Sequence, residues 1–286
     1  MKIRGVVMFA GLLFVMSMLS TPVQAEEYQE YQVTLAQGIQ GIVIEPRVEG
    51  QVPAVLLLHG FASQKDEVGD MYKRLAAALG TQGIASLRID FRGWGESAGQ
   101  MVESSIQGQV EDAASAYQYL TQLKFVDPAR IGVVGFSLGG GIAIVSAAQH
   151  PEWYASMAVW SSVGDFHADF LASLGQENFE KAEQDGQVTI DLGWREVTLG
   201  SEFFKSLKLY ELKQEISKYA GAFLAIAGTE DFSVAYVDGY LEAIQGSPKE
   251  KFVIEGTDHI FGVLGEDQTI ANSVIEKTVQ WFKETL

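Results

Sequence analysis

The residues Gly135-Phe136-Ser137-Leu138-Gly139 follow the pattern Gly-x-Ser-x-Gly, which can present a serine hydroxyl as a nucleophile. An apolar run at 131–136 leads into the serine, and small and aliphatic residues continue to Gln149. A strand, a sharp turn and a helix in this order place the serine side chain above the edge of a sheet. The glycines keep Cβ atoms out of the crowded bend, and the N–H groups that begin the helix can stabilise a negative charge. The stretch therefore predicts that Ser137 is a nucleophile.

A second match to the same pattern lies at Gly95-Glu96-Ser97-Ala98-Gly99. The strand-like residues 85–89 end well before it, and no apolar helix follows it directly. Because the pattern needs both neighbours to hold a serine at a sheet edge, we expect Ser97 to be a loop residue.

A serine hydroxyl is a weak nucleophile near neutral pH and needs a base within hydrogen-bond reach. The chain has four histidines, and His259 follows the last predicted strand, late in the chain. We therefore predict His259 as the base. We interpret His59 as a residue that holds the loop after a strand, and His150 as a residue at a helix end. His167 lies in a predicted insertion, where it could line a pocket.

Such a base needs a carboxylate that fixes its tautomer and stabilises its protonated form. Glu230 and Asp231 lie side by side after an apolar run at 222–227, and Asp258 adjoins His259. Adjacent residues rarely orient each other's side chains well, so we interpret Asp258 as a turn residue. The preferred acid is Asp231, with Glu230 as the alternative.

Apolar runs alternate with helical patterns along the chain, which is typical of a mostly parallel sheet flanked by helices. After two short segments that predict an antiparallel opening pair, the runs that predict strands lie at 54–58, 84–89, 131–136, 155–160, 222–227 and 251–254. Functional groups in such sheets lie beyond the carboxyl ends of the strands. Ser137, Asp231 and His259 each come after a strand, so we expect them to meet at one edge.

The alternation stops after the sixth predicted strand. Residues 165–218 are rich in Phe, Glu, Asp and Lys, and within them 187–199 predict a hairpin and 202–219 a helix. We interpret 165–218 as a small cap inserted into a core that comprises 26–164 and 219–286.

The first 25 residues have the pattern of a secretory signal peptide. A short basic start at Lys2 and Arg4 is followed by an apolar stretch, Gly5 to Leu19, and by the small-residue cleavage site Val23-Gln24-Ala25. The alternative is an uncleaved membrane anchor, for which the apolar stretch is slightly short. We expect export to the periplasm or the medium, with no stable membrane association after cleavage.

The composition limits the classes of partner. The chain has 286 residues, is 47% hydrophobic, contains no cysteine and carries a formal net charge of −17. Its length and apolar content allow a large core, which must be stable without disulfides. An acidic surface repels phosphate backbones and anionic lipids, which argues against nucleic acid as a partner.

Taken together, these motifs resemble the α/β-hydrolase superfamily, and within it serine esterases similar to dienelactone hydrolases and cinnamoyl esterases. The matching pieces are His59-Gly60-Phe61, the loop Asp90 to Ser97, Gly135 to Gly140, Gly228-Thr229-Glu230-Asp231 and Asp258-His259. The resemblance implies the α/β-hydrolase fold and favours Asp231 as the acid, three residues after the strand-ending glycine. It also implies an oxyanion hole made by the backbone N–H groups of Phe61 and Leu138.

The activity implied is ester hydrolysis through an acyl-enzyme on Ser137, with a small-molecule ester of small to medium or aromatic acyl groups as substrate and no metal or cofactor. Five aromatic residues lie in or near the predicted cap: Phe166, Phe170, Trp194, Phe203 and Phe204. They would either bind an apolar or aromatic acyl group or form the cap's own core. The candidate pocket residues are Trp160, Phe166 and His167. Alternatives are a peptidase of the acyl-aminoacyl type, a thioesterase, and a non-catalytic scaffold.

Overall fold

A computed structural model describes residues 27–286, and the predicted signal peptide lies outside the described residues. Ten strands occur in this part of the chain: β1 (Tyr28–Thr34), β2 (Gln40–Pro46), β3 (Val52–Leu58), β4 (Ala85–Ile89), β5 (Val126–Phe136), β6 (Ser156–Trp160), β7 (Gln187–Asp191), β8 (Glu196–Gly200), β9 (Ala222–Gly228) and β10 (Lys249–Ile254). Eight of them form one sheet in the order β1-β2-β4-β3-β5-β6-β9-β10. β1 and β2 pair antiparallel, as does β2 with β4, and the remaining pairs are parallel.

Helices cover both faces of this sheet. The described residues contain α1 (Met71–Thr81), α2 (Ile106–Gln122), α3 (Leu138–Gln149), α4 (Phe166–Leu174), α5 (Gln176–Asp185), α6 (Ser201–Ser206), α7 (Leu212–Ile216), α8 (Val234–Ala243) and α9 (Thr269–Thr285). Successive strand residues point to opposite faces. Leu57 therefore packs in one apolar cluster with α1 and α9, while Leu56 packs in the other with α2, α3 and α8. The core is thus two layers separated by the sheet, as expected for a parallel sheet buried on both sides.

The sheet order explains how distant parts of the chain reach one place. β5 lies at the centre between β3 and β6, and β9 and β10 follow on the same side as β6. All five strands run parallel, so the loops that follow β3, β5, β9 and β10 emerge at the same edge. This edge is where the predicted serine, acid and histidine come together.

The segment between β6 and β9 contains α4 to α7 and the hairpin formed by β7 and β8. The hairpin lies where the sequence predicts it, but the predicted helix over 202–219 is two short helices, α6 and α7. The two helices pack against different elements, α6 against α2 and α5 and α7 against α3 and α8, which accounts for the break between them. No helix within residues 27–286 combines the length and apolar character needed to cross a membrane.

Candidate active site

Ser137 lies on the sharp turn between β5 and α3. Its backbone has φ 53° and ψ −116°, a conformation that is unusual for a residue with a side chain. The turn is possible because its neighbours are glycines. A Cβ atom on Gly135 would lie 2.2 Å from the carbonyl oxygen of Gly139, and one on Gly139 would lie 2.1 Å from that of Leu58. The close approach of β3, β5 and α3 therefore requires glycine at both positions and holds the hydroxyl of Ser137 at the sheet edge.

His259 is the hydrogen-bond partner of this hydroxyl. Its Nε2 lies 3.0 Å from Ser137 Oγ, although the two residues are 122 positions apart in the chain. The imidazole lies 5.1 Å from the ring of Phe136 and stacks at 5.3 Å on the ring of Phe232, measured between ring centroids. These rings restrict the orientation of the imidazole, while about a third of the side chain (32%) stays exposed to the cavity.

Asp231 completes the chain of hydrogen bonds. Its Oδ1 lies 2.9 Å from Nδ1 of His259, and its other oxygen accepts a short hydrogen bond from the hydroxyl of Ser233. Burial alone would raise the pKa of Asp231, but the hydrogen bond and charge of His259 and the hydroxyl of Ser233 outweigh it, so the pKa lies below its ordinary value. The carboxylate is therefore charged at neutral pH, in contact with the imidazole that would become protonated.

The two other candidate acids do not contact His259 in this way. Glu230 is exposed. Asp258 accepts a hydrogen bond from the backbone N–H of Gly262 at 2.8 Å, as expected for a turn residue. Of the carboxylates weighed from the sequence, Asp231 is the one that the structure brings to His259.

The backbone N–H groups of Phe61 and Leu138 are the two predicted oxyanion donors. Leu138 is the first residue of α3, where N–H groups have no acceptor within the helix. Phe61 lies in the loop after β3, and it lines both cavities that Ser137 lines. Neither N–H donates a hydrogen bond within residues 27–286. Both donors are therefore available to bind an oxygen atom that carries negative charge.

The loop after β3, residues 59–63, is fixed by buried polar groups, and we call it the β3 loop. His59 is 1% exposed; its Nε2 accepts from the N–H of Phe91 at 3.2 Å and its Nδ1 donates to the carbonyl of Gly60 at 2.7 Å. Burial lowers the pKa of His59, which keeps the ring neutral in this arrangement. The carboxylate of Glu67 accepts from the N–H of Gly60 at 2.7 Å and from the hydroxyl of Ser63 at 2.6 Å. The predicted role of His59 in holding this loop agrees with these contacts.

Two cavities meet at Ser137 and His259. One has a volume of about 760 Å³ and extends along the hairpin turn and the loop after β10. The other, of about 420 Å³, extends toward α4. Both are lined by Phe61, Ser137 and His259; the larger adds Phe136, Trp194, Arg195, Ile260 and Leu264 among others, and the smaller adds Val163, Phe170 and Phe232. An ester bound at Ser137 could therefore place its acyl group on one side and its alcohol on the other.

The structure does not bring the three predicted pocket residues to these cavities. Trp160 is fully buried on the face of α1 and α9, and its indole N–H donates to Thr278 Oγ1 at 2.9 Å. Phe166 is fully buried in the opposite core layer, against Gly141. His167 lines a different cavity, with Phe179 and Phe204. The prediction is corrected for all three: the side chains of Trp160, at the end of β6, and Phe166, at the start of α4, point into the core, and His167 faces a cavity away from Ser137.

Other residues line the site instead. Phe232 and Ile260 directly follow the acid and the histidine, and Phe170 and Trp194 belong to the aromatic set of the predicted cap. Adjacency to the candidate acid and base is the signal that could have identified the first two. Arg195 and Leu264 carry no such signal.

Ser97 has a structural role in the Asp90–Ser97 loop. Its Oγ accepts from the N–H of Gln40 at 2.8 Å and donates to the carbonyl of Asp90 at 2.6 Å. Within residues 27–286, no group of three or more His, Asp or Glu side chains is arranged to hold a metal ion.

Comparison with known proteins gives a family model that matches part of this chain and a relative of moderate identity. Residues 51–192 match the model of a family described as serine aminopeptidase, S33. An uncharacterised protein of Mycobacterium tuberculosis is 39% identical over 210 residues, which cover 73% of this chain and 64% of that protein. The chain thus spans less than two thirds of that relative's length.

Solved structures show the same fold. Est1E from Butyrivibrio proteoclasticus, with ferulic acid bound, matches with a TM-score of 0.73 at 18% identity, over 89% of this chain and 98% of that one. Dienelactone hydrolase from Anabaena variabilis matches with a TM-score of 0.62 at 20% identity, over 91% and 99%. The chain therefore has the α/β-hydrolase fold.

Proposed function

We propose that the protein hydrolyses carboxylic esters of small to medium or aromatic acyl groups, through an acyl-enzyme on Ser137. The observation that carries the proposal is the chain of hydrogen bonds from Ser137 Oγ to His259 Nε2, at 3.0 Å, and from His259 Nδ1 to Asp231 Oδ1, at 2.9 Å. Both distances lie within the range for proton transfer between a nucleophile, its base and an orienting acid.

In the first half of the reaction Ser137 Oγ attacks the ester carbonyl and His259 Nε2 takes the hydroxyl proton. The carbonyl oxygen becomes an oxyanion, for which the N–H groups of Phe61 and Leu138 are the donors. Asp231 stabilises the imidazolium. The imidazolium then gives its proton to the alcohol oxygen as the bond between that oxygen and the carbonyl carbon breaks, which leaves the acyl group on Ser137.

In the second half a water molecule replaces the alcohol. His259 takes a proton from the water as its oxygen attacks the acyl carbon, and returns the proton to Ser137 Oγ when the acid leaves. The same base and the same oxyanion donors therefore serve both halves, with no net change in the protein.

The two cavities support the substrate class. Volumes of about 420 and 760 Å³ suit an acyl group and an alcohol of moderate size. Three phenylalanine side chains, Phe61, Phe170 and Phe232, line the smaller one beside Ser137. The similarity to Est1E, whose structure contains ferulic acid, further supports aromatic acyl groups.

The test is hydrolysis of p-nitrophenyl acetate, butyrate and octanoate and of methyl ferulate by wild type and by Ser137→Ala. Loss of the nucleophile of such a triad lowers kcat by about 10⁶-fold. We expect hydrolysis by wild type and essentially none by the variant. Equal rates for the two proteins would refute the proposal.

Aminopeptidase activity is the second candidate, because the matching family is described as serine aminopeptidase. The same triad could attack an amide, with His259 protonating the leaving amine as it protonates the leaving alcohol of an ester. Aminoacyl p-nitroanilides and p-nitrophenyl esters of the same amino acids separate the two. If kcat/KM is the same for the anilides as for the esters, the result favours the peptidase.

We also propose that the protein is exported, on the basis of the pattern in its first 25 residues. Fractionation of cells that express the full chain, followed by N-terminal sequencing, tests this. A mature protein that begins after Ala25 and is free of the membrane fraction is expected; an intact N-terminus in the cytoplasm would contradict export.

A further inference from the structure

Arg195 joins the hairpin of the β6–β9 segment to the β3 loop. It lies at the end of the turn between β7 and β8, and its Nη1 donates to the carbonyl oxygen of Ala62 at 2.8 Å. The two residues are 133 positions apart in the chain. Ala62 directly follows Phe61, whose N–H is one of the two proposed oxyanion donors. A single side chain thus connects the inserted segment to the backbone that would carry this donor.

The backbone at this point needs an external contact to hold it. Ala62 is 1% exposed and has φ 57°, in the left-handed region that residues with a Cβ atom rarely adopt. Such a conformation persists only where the surroundings fix it. On the core side, Glu67 binds the N–H of Gly60 and the hydroxyl of Ser63. Arg195 supplies the contact to the carbonyl of Ala62, which lies between Gly60 and Ser63 in the chain.

The ring of Phe61 is also held by the inserted segment. It packs edge-on against Phe170, at 5.0 Å between centroids, and lies 5.7 Å from Phe203. Both belong to helices between β6 and β9. The side chain of Phe61 and the carbonyl of Ala62 therefore both contact the inserted segment, while the Phe61 ring also packs on Trp94 of the core.

Arg195 itself is well placed to act on this carbonyl. Its guanidinium lies over the ring of Trp94 at 5.7 Å and over that of Trp194 at 5.9 Å. Within residues 27–286 no carboxylate lies within ion-pair distance of it, and its other polar contact is a weak one to Met101 Sδ at 3.9 Å. The charge-assisted hydrogen bond to Ala62 is thus its main polar interaction in the described part of the chain.

We propose that Arg195 is a positioning residue: through its hydrogen bond to Ala62 it aligns the Phe61 N–H with the oxyanion, and so makes the rate of catalysis depend on how the hairpin is seated. The proposal rests on the proposed ester hydrolysis. Oxyanion stabilisation depends on donors fixed before the charge develops, and a displacement of about 1 Å can cost about 10²-fold in rate.

The test compares Arg195→Ala, Arg195→Lys and the control Glu196→Ala, which alters the exposed neighbour on the same hairpin. p-Nitrophenyl acetate is the substrate, because its small size limits direct contact with Arg195. For Arg195→Ala we expect kcat to fall about 10- to 100-fold, with KM changed by less than about threefold, since the donor acts on the transition state rather than on the bound ester. Arg195→Lys, which can still donate to Ala62, should recover part of the loss, and Glu196→Ala should match wild type.

A second readout separates alignment from a general loss of structure. Phenylboronic acid forms a tetrahedral adduct with a nucleophilic serine and places an oxygen at the oxyanion position. In each variant the Kd of phenylboronic acid should rise by the same factor as kcat/KM for p-nitrophenyl acetate falls. The Tm of Arg195→Ala should stay close to that of Glu196→Ala. A kcat and boronate Kd within about twofold of wild type in Arg195→Ala would overturn the proposal. So would a loss of activity without weaker boronate binding.

The two proposals fail in different ways. Wild-type protein that hydrolyses no ester overturns the proposed function and, with it, the role of Arg195. Wild-type protein that is active while Arg195→Ala is equally active overturns only the role of Arg195.

Discussion

Asp231 and Glu230 are adjacent carboxylates, and what separates them is their placement. The side chain of Asp231 is 2% exposed and contacts His259, whereas Glu230 faces solvent. A charge next to the imidazole both fixes its tautomer and stabilises its protonated form. The role of an acid at this site is therefore a property of position more than of residue type.

Asp231→Asn should lower kcat for ester hydrolysis by about 10³- to 10⁴-fold, because the amide keeps the shape of the side chain but not the charge that stabilises the imidazolium. Steady-state kinetics with p-nitrophenyl butyrate measure this. Glu230→Gln is the matched control and should stay within about twofold of wild type. The reverse pattern, with Glu230→Gln inactive, would assign the acid to Glu230.

His59 makes stability depend on pH. Burial lowers its pKa in the folded protein, although the nearby Glu67 carboxylate acts in the opposite direction. In the unfolded chain the ring takes up a proton near pH 6.5. Below that pH the unfolded state binds more protons than the folded state, so the free energy of unfolding falls as the pH falls, by up to about 1.4 kcal/mol per pH unit.

Urea unfolding of wild type and His59→Gln at pH 7.5 and 5.5 measures this effect. The variant should be less stable at both pH values, because it lacks the two ring hydrogen bonds, but it should lose less stability between them than wild type does. An equal loss in both proteins would show that His59 is not the source of the dependence.

The three candidate catalytic residues could be predicted from the sequence because each lies in a loop that follows a strand. Ser137, Asp231 and His259 each come soon after an apolar run, and parallel strands bring such positions to one edge. The pocket residues could not be chosen in this way. Trp160 ends β6, but its face is set by the register with β5 and β9, which no local pattern reveals.

At the scale of elements, the turn between β5 and α3 depends on how closely three elements approach. Gly139→Ala would place a Cβ atom 2.1 Å from the carbonyl of Leu58, a backbone atom that cannot move without shifting β3. We expect a loss of about 3 kcal/mol or more in the free energy of unfolding, together with loss of esterase activity.

Gly239→Ala is the control for this substitution. Gly239 lies within α8, and the atom nearest to an added Cβ would be Lys213 Nζ at 3.9 Å. This variant should be about 0.5–1 kcal/mol more stable than wild type, because alanine is the better helix residue. Thermal unfolding and activity of both variants provide the measurement. A Gly139→Ala protein as stable and active as Gly239→Ala would contradict the packing of the turn.

The large sheet could be predicted element by element, since its strands are apolar runs between helical patterns. In the inserted segment the sequence predicts the hairpin, where alternation is clear, and helical structure over 202–219, which is divided into α6 and α7. α5 buries only Ala182, so its sequence carries no pattern that indicates a buried face, and α7 buries Leu212 and Ile216 within only five residues. α5 packs against its chain neighbours α4, α6 and β7, whereas α7 packs against α3 and α8, which are distant in the chain.

At the scale of the whole molecule, the candidate site is assembled from parts that are far apart in the chain. β5, β9 and β10 supply the loops that carry Ser137, Asp231 and His259, and the segment between β6 and β9 closes one side of the cavities. No part of the chain carries the chemistry alone. The sheet order is what converts three separate loops into one site, and a reagent that needs all three tests this assembly.

That measurement is the reaction of the purified protein with a fluorophosphonate, followed by mass spectrometry of the intact protein and of its peptides. Phosphonylation requires a serine activated by its base and stabilised by oxyanion donors. We expect one adduct per chain, located on Ser137, no adduct in Ser137→Ala, and much slower labelling in His259→Ala. An unlabelled wild-type protein, or an adduct on another residue, would contradict the account that these three side chains form a catalytic site.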